Sequence, residues 1–258
     1  PVNDHATAKN GRRERPRFID SFVLSPSPET SSDSSTVWDQ YRTELVTLIQ
    51  LVASGRLREA QGRLARRVGR TMRGLTASAS ILLPIEIVID NESLERHTVL
   101  KISAEDTPGF MYELSNALSL LEFDIHRVTL TTLDDQAIDT LLVFGSHGEK
   151  IISEDRLAKL RAAVVFVKHF THLLPQSPNP ELALQHFGQF LEQLFARADW
   201  REQLASLDRR EVLEPLTRLL GVSDFLWDDF LRLQHDNLLP VLRDVDDLAG
   251  RRTREDLT

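Results

Sequence analysis

Along the chain the spacing of apolar residues shifts from threes and fours to twos, and then back. From Val37 the positions Val37, Trp38, Tyr41, Leu45, Leu48, Ile49 and Val52 recur at helical offsets, and Gly55 stops the run. A second stripe follows at Leu57, Ala60, Leu64, Val68 and Met72. The spacing predicts two helices joined at Ser54-Gly55, a helical hairpin over 36–78 in which each helix covers the other's apolar face.

From residue 82 the period drops to two. Ile85, Ile87 and Ile89 alternate with other residues, and Thr98, Leu100 and Ile102 alternate with Val99 and Lys101, as in a strand buried on one face. Asp106-Thr107-Pro108-Gly109 reads as a turn, with Pro108 in the first turn of a helix whose apolar side is Phe110, Leu114, Ala117, Leu118 and Leu121. Two further strands follow, 123–133 and 137–144, joined by a tight turn at Asp134-Asp135. Ser153 then caps a long helix with Glu154 and Asp155 in its first turn and a stripe of Leu157, Leu160, Val164, Val167 and Phe170. A further strand is expected at Ile151-Ile152 or at 82–89. Two helices on one face of such a sheet make an α+β sandwich of the ferredoxin-like kind, βαββαβ, over 82–172.

Helical spacing returns after Pro175. Pro178-Asn179-Pro180 opens a stripe from Leu182 to Leu194, Val212 to Leu220 forms another ended by Gly221, and Ser223 starts a third that Pro240 breaks. A helical bundle is expected over 175–250 and a frayed tail over 251–258. At the other end, residues 1–35 read as a disordered arm, because 25–36 holds two prolines and six serines and little that can be buried.

The chain has 258 residues, 41% of them hydrophobic, enough for a real core. With no cysteine there is no disulfide framework, thiol nucleophile or cysteine zinc site. No apolar run is long enough to span a membrane, and residues 1–17 hold no apolar core of a signal peptide, so a cytoplasmic protein is expected. The chain opens on Pro1, which reads as a piece of something longer. Its charge of −8 divides unevenly: residues 1–75 carry a net of +5 and the rest −13. The acidic bulk argues against a nucleic-acid surface. Arg56, Arg58, Arg63, Arg66, Arg67, Arg70 and Arg73 lie beside an apolar stripe and read as the solvated face of a helix.

The segment 100–152 resembles an ACT domain, the small-molecule-sensing module of amino-acid metabolism. The residues that carry this are Asp106-x-Pro108-Gly109 between first strand and first helix, Ile125-His126, Thr131 to Asp134, Asp139, and Gly148-Glu149-Lys150-Ile151. Among ACT domains it looks most like those of bacterial PII uridylyltransferases, from which it departs at Phe110-Met111 and Asp134. Farther on, Asn179 to Leu184 and Leu219 to Leu226 resemble the helical segment that opens glutamine synthetase adenylyltransferases. The two resemblances imply a nitrogen-regulatory nucleotidyltransferase. Its parent catalytic domain would use Mg, with PII or glutamine synthetase as protein partner.

A nucleotidyl-transfer centre needs a Gly-Ser turn followed by carboxylates at i and i+2 that hold two metal ions. Gly145-Ser146 is followed instead by adjacent Glu154-Asp155, and Asp244-x-Asp246 has no such turn ahead of it. No catalytic residue and no cofactor is therefore expected in this chain. His169 and His172 stand at i and i+3 without a completing carboxylate and read as ordinary histidines rather than metal ligands.

The best binding candidate is the turn of Asp106, Thr107, Pro108, Gly109 and Phe110. Gly109 lets a ligand approach backbone N–H groups at a helix start, which attract a carboxylate, and Asp106 attracts an ammonium. The pair suits an amino acid. Ser115 and Asn116 are candidate polar contacts, and His126 a candidate contact from its strand. The competing reading is a plain turn with Asp106 as N-cap. The resemblance implies glutamine or a related ligand bound between paired ACT sheets, hence a homodimer. Two functions stay open: an amino-acid-sensing regulatory module, or a scaffold that has lost its ligand.

Overall fold

The computed structural model describes residues 34–72, 84–133, 136–207 and 210–223. Residues 1–33 of the arm expected over 1–35, the turn at 134–135, the third C-terminal helix and the tail lie outside them, while Ser34 and Ser35 belong to a helix rather than to the arm. The chain divides into two compact units, 1–50 and 51–258. The first carries most of α1 (Ser34–Ala53), where Trp38 and Tyr41 meet edge to face with ring centres 5.9 Å apart.

The second unit holds everything that concerns a site. Its elements are α2 (Leu57–Met72), β1 (Glu86–Asp90), β2 (Thr98–Glu105), α3 (Phe110–Leu120), β3 (Phe123–Leu133), β4 (Gln136–Gly145), α4 (Glu154–Leu173), α5 (Pro180–Ala196), α6 (Trp200–Leu207) and α7 (Arg210–Leu220). The four strands form one antiparallel sheet in the order β1-β2-β4-β3. The α+β class thus stands, but the element order is ββαββα. The fourth strand comes from ahead of β2, at 86–90, and α4 continues through a 3₁₀ turn into α5 with no strand after it.

Alternation decides which face of the sheet is covered. Thr98, Leu100, Ile102 and Ala104 of β2 are buried, as are Ala137, Asp139, Leu141 and Val143 of β4. Leu100, Ile102, Leu141 and Val143 share one core with Phe110, Leu114 and Leu118 of α3 and Leu160, Val164 and Val167 of α4. Each such side chain contributes roughly 1.5–3 kcal/mol on burial. A second helical layer of α2, α5 and α7 backs the first: α2 packs on α5, and α7 on α4 and α5. This is why α4 is buried nearly all round over its last eleven residues. Phe170 stacks face to face on Phe187 of α5, centroids 3.6 Å apart.

Local details differ from the sequence reading in three places. The N-cap of α3 is Gly109 in the left-handed region (φ 81°), so neither Pro108 nor Asp106 is inside or capping that helix. Ser153 is the N-cap of α4 but caps it only through its backbone carbonyl, which accepts from Leu157 N–H at 2.9 Å. Helix α6, between the two predicted stripes, has eight residues and is anchored by buried Trp200.

Candidate functional site

The turn after β2 is built by two residues that point inward and two that point out. Thr107 and Phe110 are buried, while Asp106 and Pro108 are exposed. Thr107 Oγ1 lies 3.4 Å from Thr171 Oγ1 on α4, and Phe110 N–H donates to Thr107 C=O at 3.2 Å. Gly109 does not face an open pocket. A Cβ there would stand 2.5 Å from Met72 Cε and 3.0 Å from Val68 Cγ1, so the C-terminal end of α2 fills the inner side of the corner. The positive φ and this close approach together explain the glycine. Any ligand at this turn must use its outer side.

Charged groups also lie behind the turn, in the core. Lys168 of α4 is buried, and its Nζ lies 4.3 Å from the ring centre of Phe110, a cation–π contact. Burial lowers the Lys168 pKa, against the pull of Asp106 and Asp139, and burial raises that of Asp139, against the pull of Lys168. Of Lys168, Asp139 and Asp106, only Asp106 is exposed to a ligand. Lys168 was legible only as an interruption: it follows Val167 and sits four residues after Val164, inside an apolar stripe.

The other expected contacts do not join this cluster. Ser115 is exposed and back-bonds to Met111 C=O at 2.7 Å. His126 stands on the uncovered face of the sheet, where its ring lies 4.6 Å from that of His97 and 6.4 Å from that of Phe144. Alternation from Ile125, which pairs with buried Val143, places it there. His97 precedes β2 and Asp106 follows it, so the eight strand residues between them hold His126 about 25 Å from the turn. Asn116 lines a different feature, a cleft of about 710 Å³ between α2, α3 and α5.

Behind Gly188, one of the residues lining that cleft, lies a buried carboxyl. Glu113 of α3 is fully buried, and Asn116 Nδ2 donates to its Oε2 at 3.5 Å. Burial pushes its carboxyl up to about 8. Its Oε1 has no hydrogen-bond partner among the described residues. Beside it, Tyr112 donates its hydroxyl to Gln61 C=O at 3.1 Å, tying α3 to α2, and burial raises that phenol to about 12.

The residues weighed as a nucleotidyl-transfer centre have structural partners. Gly145 closes a turn, donating to Glu149 C=O at 2.7 Å. Asp155 pairs with Arg201 at 2.7 Å and Lys159 at 3.6 Å. Asp244 and Asp246 lie outside the described residues. Among the described residues no group of three or more metal-binding side chains is assembled, and His169 and His172 are buried in α4. In the basic run, Arg63 pairs with Glu59 at 3.1 Å and Arg66 with Glu181 at 3.4 Å. No described helix is long and apolar enough to cross a membrane.

No family model matches the chain, and no solved structure matches it. Among curated proteins, 118 residues are 30% identical to the bifunctional uridylyltransferase/uridylyl-removing enzyme of Azospirillum brasilense and 33% identical to that of Gluconobacter oxydans, in each case 46% of this chain and 12% of the relative. The enzyme of that name from Bradyrhizobium sp. strain ORS 278 is 30% identical over 149 residues, 58% of this chain and 15% of the relative. The chain is thus similar to part of these bifunctional enzymes, spanning about an eighth to a seventh of their length.

Proposed function

We propose that this chain is the regulatory portion of a nitrogen-regulatory nucleotidyltransferase of the PII uridylyltransferase type, with the catalytic centre elsewhere in the parent protein. The observation that carries this reading is the likeness to a limited stretch of bifunctional uridylyltransferases. The ACT resemblance supports it, since β1 pairs with β2 along the edge where a βαββαβ fold places its last strand. So does the downstream resemblance to glutamine synthetase adenylyltransferases. The Mg expected for such a parent belongs to its catalytic domain. Within this reading the module senses an amino acid, glutamine being the expected ligand. Its ammonium would meet exposed Asp106 on the outer side of the turn, and its carboxylate the backbone N–H groups at the start of α3. A homodimer through the ACT-like sheets and docking to PII or glutamine synthetase complete the proposal, for a protein of the cytoplasm.

One observation favours the second reading, a scaffold without a ligand: Met72 and Val68 fill the inner side of Gly109. Calorimetric titration of glutamine into the chain separates the two. Heat that disappears in Asp106→Ala supports sensing. Silence from the unaltered chain supports the scaffold.

A further inference from the structure

We propose that the pocket between β1, α4 and α6 is a second binding site, which takes an aliphatic monocarboxylate with its carboxylate on Arg161 and its hydrocarbon body against the apolar walls. The pocket shares no residue with the turn at Asp106, and the proposal does not rest on the reading given above for that turn.

The first observation is the shape and character of the walls. The pocket holds about 490 Å³, within the range of small-molecule sites. Helix α4 lines it with Ala158, Arg161, Ala162 and Val165, the spacing of one helix face. Ile89 of β1 and Leu204 of α6 supply the other sides. The two alanines leave room where longer side chains would close the gap between α4 and its neighbours. Ile89, Ala158, Ala162, Val165 and Leu204 are all only half-buried. They leave an apolar surface that the described residues do not cover and that a hydrocarbon chain can.

The second observation is the charge. Arg161 is the one charged residue of the lining. Its Nη1 donates to Ile87 C=O at 3.0 Å, which holds the guanidinium against β1, an edge strand of the sheet. That bond uses one of five N–H donors. Among the described residues no carboxylate pairs with Arg161, whereas Asp155, two turns earlier on α4, is taken by Arg201 and Lys159. The polar neighbour in the lining, Asn91, is already engaged: its Nδ2 donates to Ile151 C=O at 2.8 Å and its Oδ1 accepts from Thr98 Oγ1 at 2.7 Å. The pocket thus offers one cation with donors to spare and no acid. A guanidinium takes a carboxylate through two parallel N–H···O bonds, and beside apolar walls such a pair is screened less than in open water. One cation balances one negative charge, so a monocarboxylate fits better than a phosphate dianion.

The test is an NMR titration of the 258-residue chain with hexanoate, hexanamide, hexylamine and acetate. Hexanoate should bind at least about ten-fold more tightly than hexanamide or hexylamine, which lack the charge that Arg161 takes. It should also bind at least about ten-fold more tightly than acetate, which has the same head group without the four methylenes that the walls bury. Arg161→Gln should weaken hexanoate at least about ten-fold, and Ala162→Leu, which fills the space, should do the same. Both variants should melt close to the parent, since Arg161 is exposed and Ala162 borders open space; lost binding then does not mean lost fold. Asp106→Ala should keep full binding. An amide or amine that binds as well as hexanoate, acetate that binds as well, full binding by Arg161→Gln or Ala162→Leu, or no hexanoate binding would each overturn the proposal.

Discussion

The ammonium of Lys168 sits 4.3 Å above the ring of Phe110, the first residue of α3. This one contact joins the helix that starts at the turn to the helix that runs through both layers. Lys168 is 1% exposed and Asp139 6%, so the charge of each depends on the other. Removing the cation should force Asp139, already raised by burial, to take a proton in the folded state at still higher pH. A carboxyl with a raised folded pKa makes stability fall as pH rises from its unfolded value toward its folded one. Lys168→Met is therefore expected to show a urea midpoint that falls more steeply than the parent's as pH rises above the ordinary carboxylate range. The double variant Lys168→Met/Asp139→Asn should lose the added slope. Equal slopes in all three would show that the two groups do not interact.

Glu113 gives the same sign from a different place. Its carboxyl is pushed from 4.5 to about 8 by burial. The folded state holds a proton that the unfolded chain has released, so stability is lost between roughly those two values and is flat above them. Glu113→Gln keeps the shape and removes the titration. It is expected to flatten the pH dependence of the urea midpoint between pH 5 and 8, and to be the more stable protein at pH 8 by about 2–4 kcal/mol. A variant with an unchanged slope would place the titration elsewhere.

Much of the fold was legible from spacing alone, because a sheet covered on one face writes its period directly into β2 and β4. Leu100, Ile102, Leu141 and Val143 all fall where alternation puts them. What was not legible came from the second helical layer. Helix α4 is buried on two sides, so its stripe does not mark one face, and Lys168, His169 and His172 sit inside by tertiary packing. Met72 illustrates the same limit at the site: nothing local says that the end of α2 will fill the corner behind Gly109. Glu113 was visible as an acid three residues after Phe110 and four before Ala117, on the apolar side of α3, a pattern that points to a buried carboxyl. His126 was grouped with the turn as a candidate contact, but its strand sets it beside His97, at the opposite end of β2, which no local spacing shows.

Gly109 should tolerate substitution poorly, for two separable reasons. The left-handed backbone costs a residue with a Cβ about 1 kcal/mol, and that Cβ meets Met72 Cε at 2.5 Å. The thioether end can move, so the clash is the smaller and more adjustable part. Gly109→Ala is expected to lower stability by about 1–3 kcal/mol. Gly109→Asn should cost less than Gly109→Val, because asparagine enters the left-handed region readily and a β-branched residue does not. Chemical denaturation of the three variants gives the order, and a valine variant as stable as asparagine would remove the backbone argument.

Helix α2 carries its own control for the glycine argument. Gly69 faces the backbone of Glu181 at the start of α5, with N and Cα 2.8 and 2.9 Å from the place its Cβ would take, and backbone cannot step aside as a side chain does. Gly69→Ala must push α2 away from α5 along its largest contact, at a cost of about 1–3 kcal/mol. Gly62, seven residues earlier on the same helix, has nothing within 4 Å of the corresponding point. Gly62→Ala should therefore gain about 0.5–1 kcal/mol from helix propensity and the lost freedom of the unfolded chain. Thermal denaturation of the two single variants should move the melting temperature in opposite directions. If Gly62→Ala is instead as damaging as Gly69→Ala, the cleft is narrower than described and the small residue at 62 is there for packing.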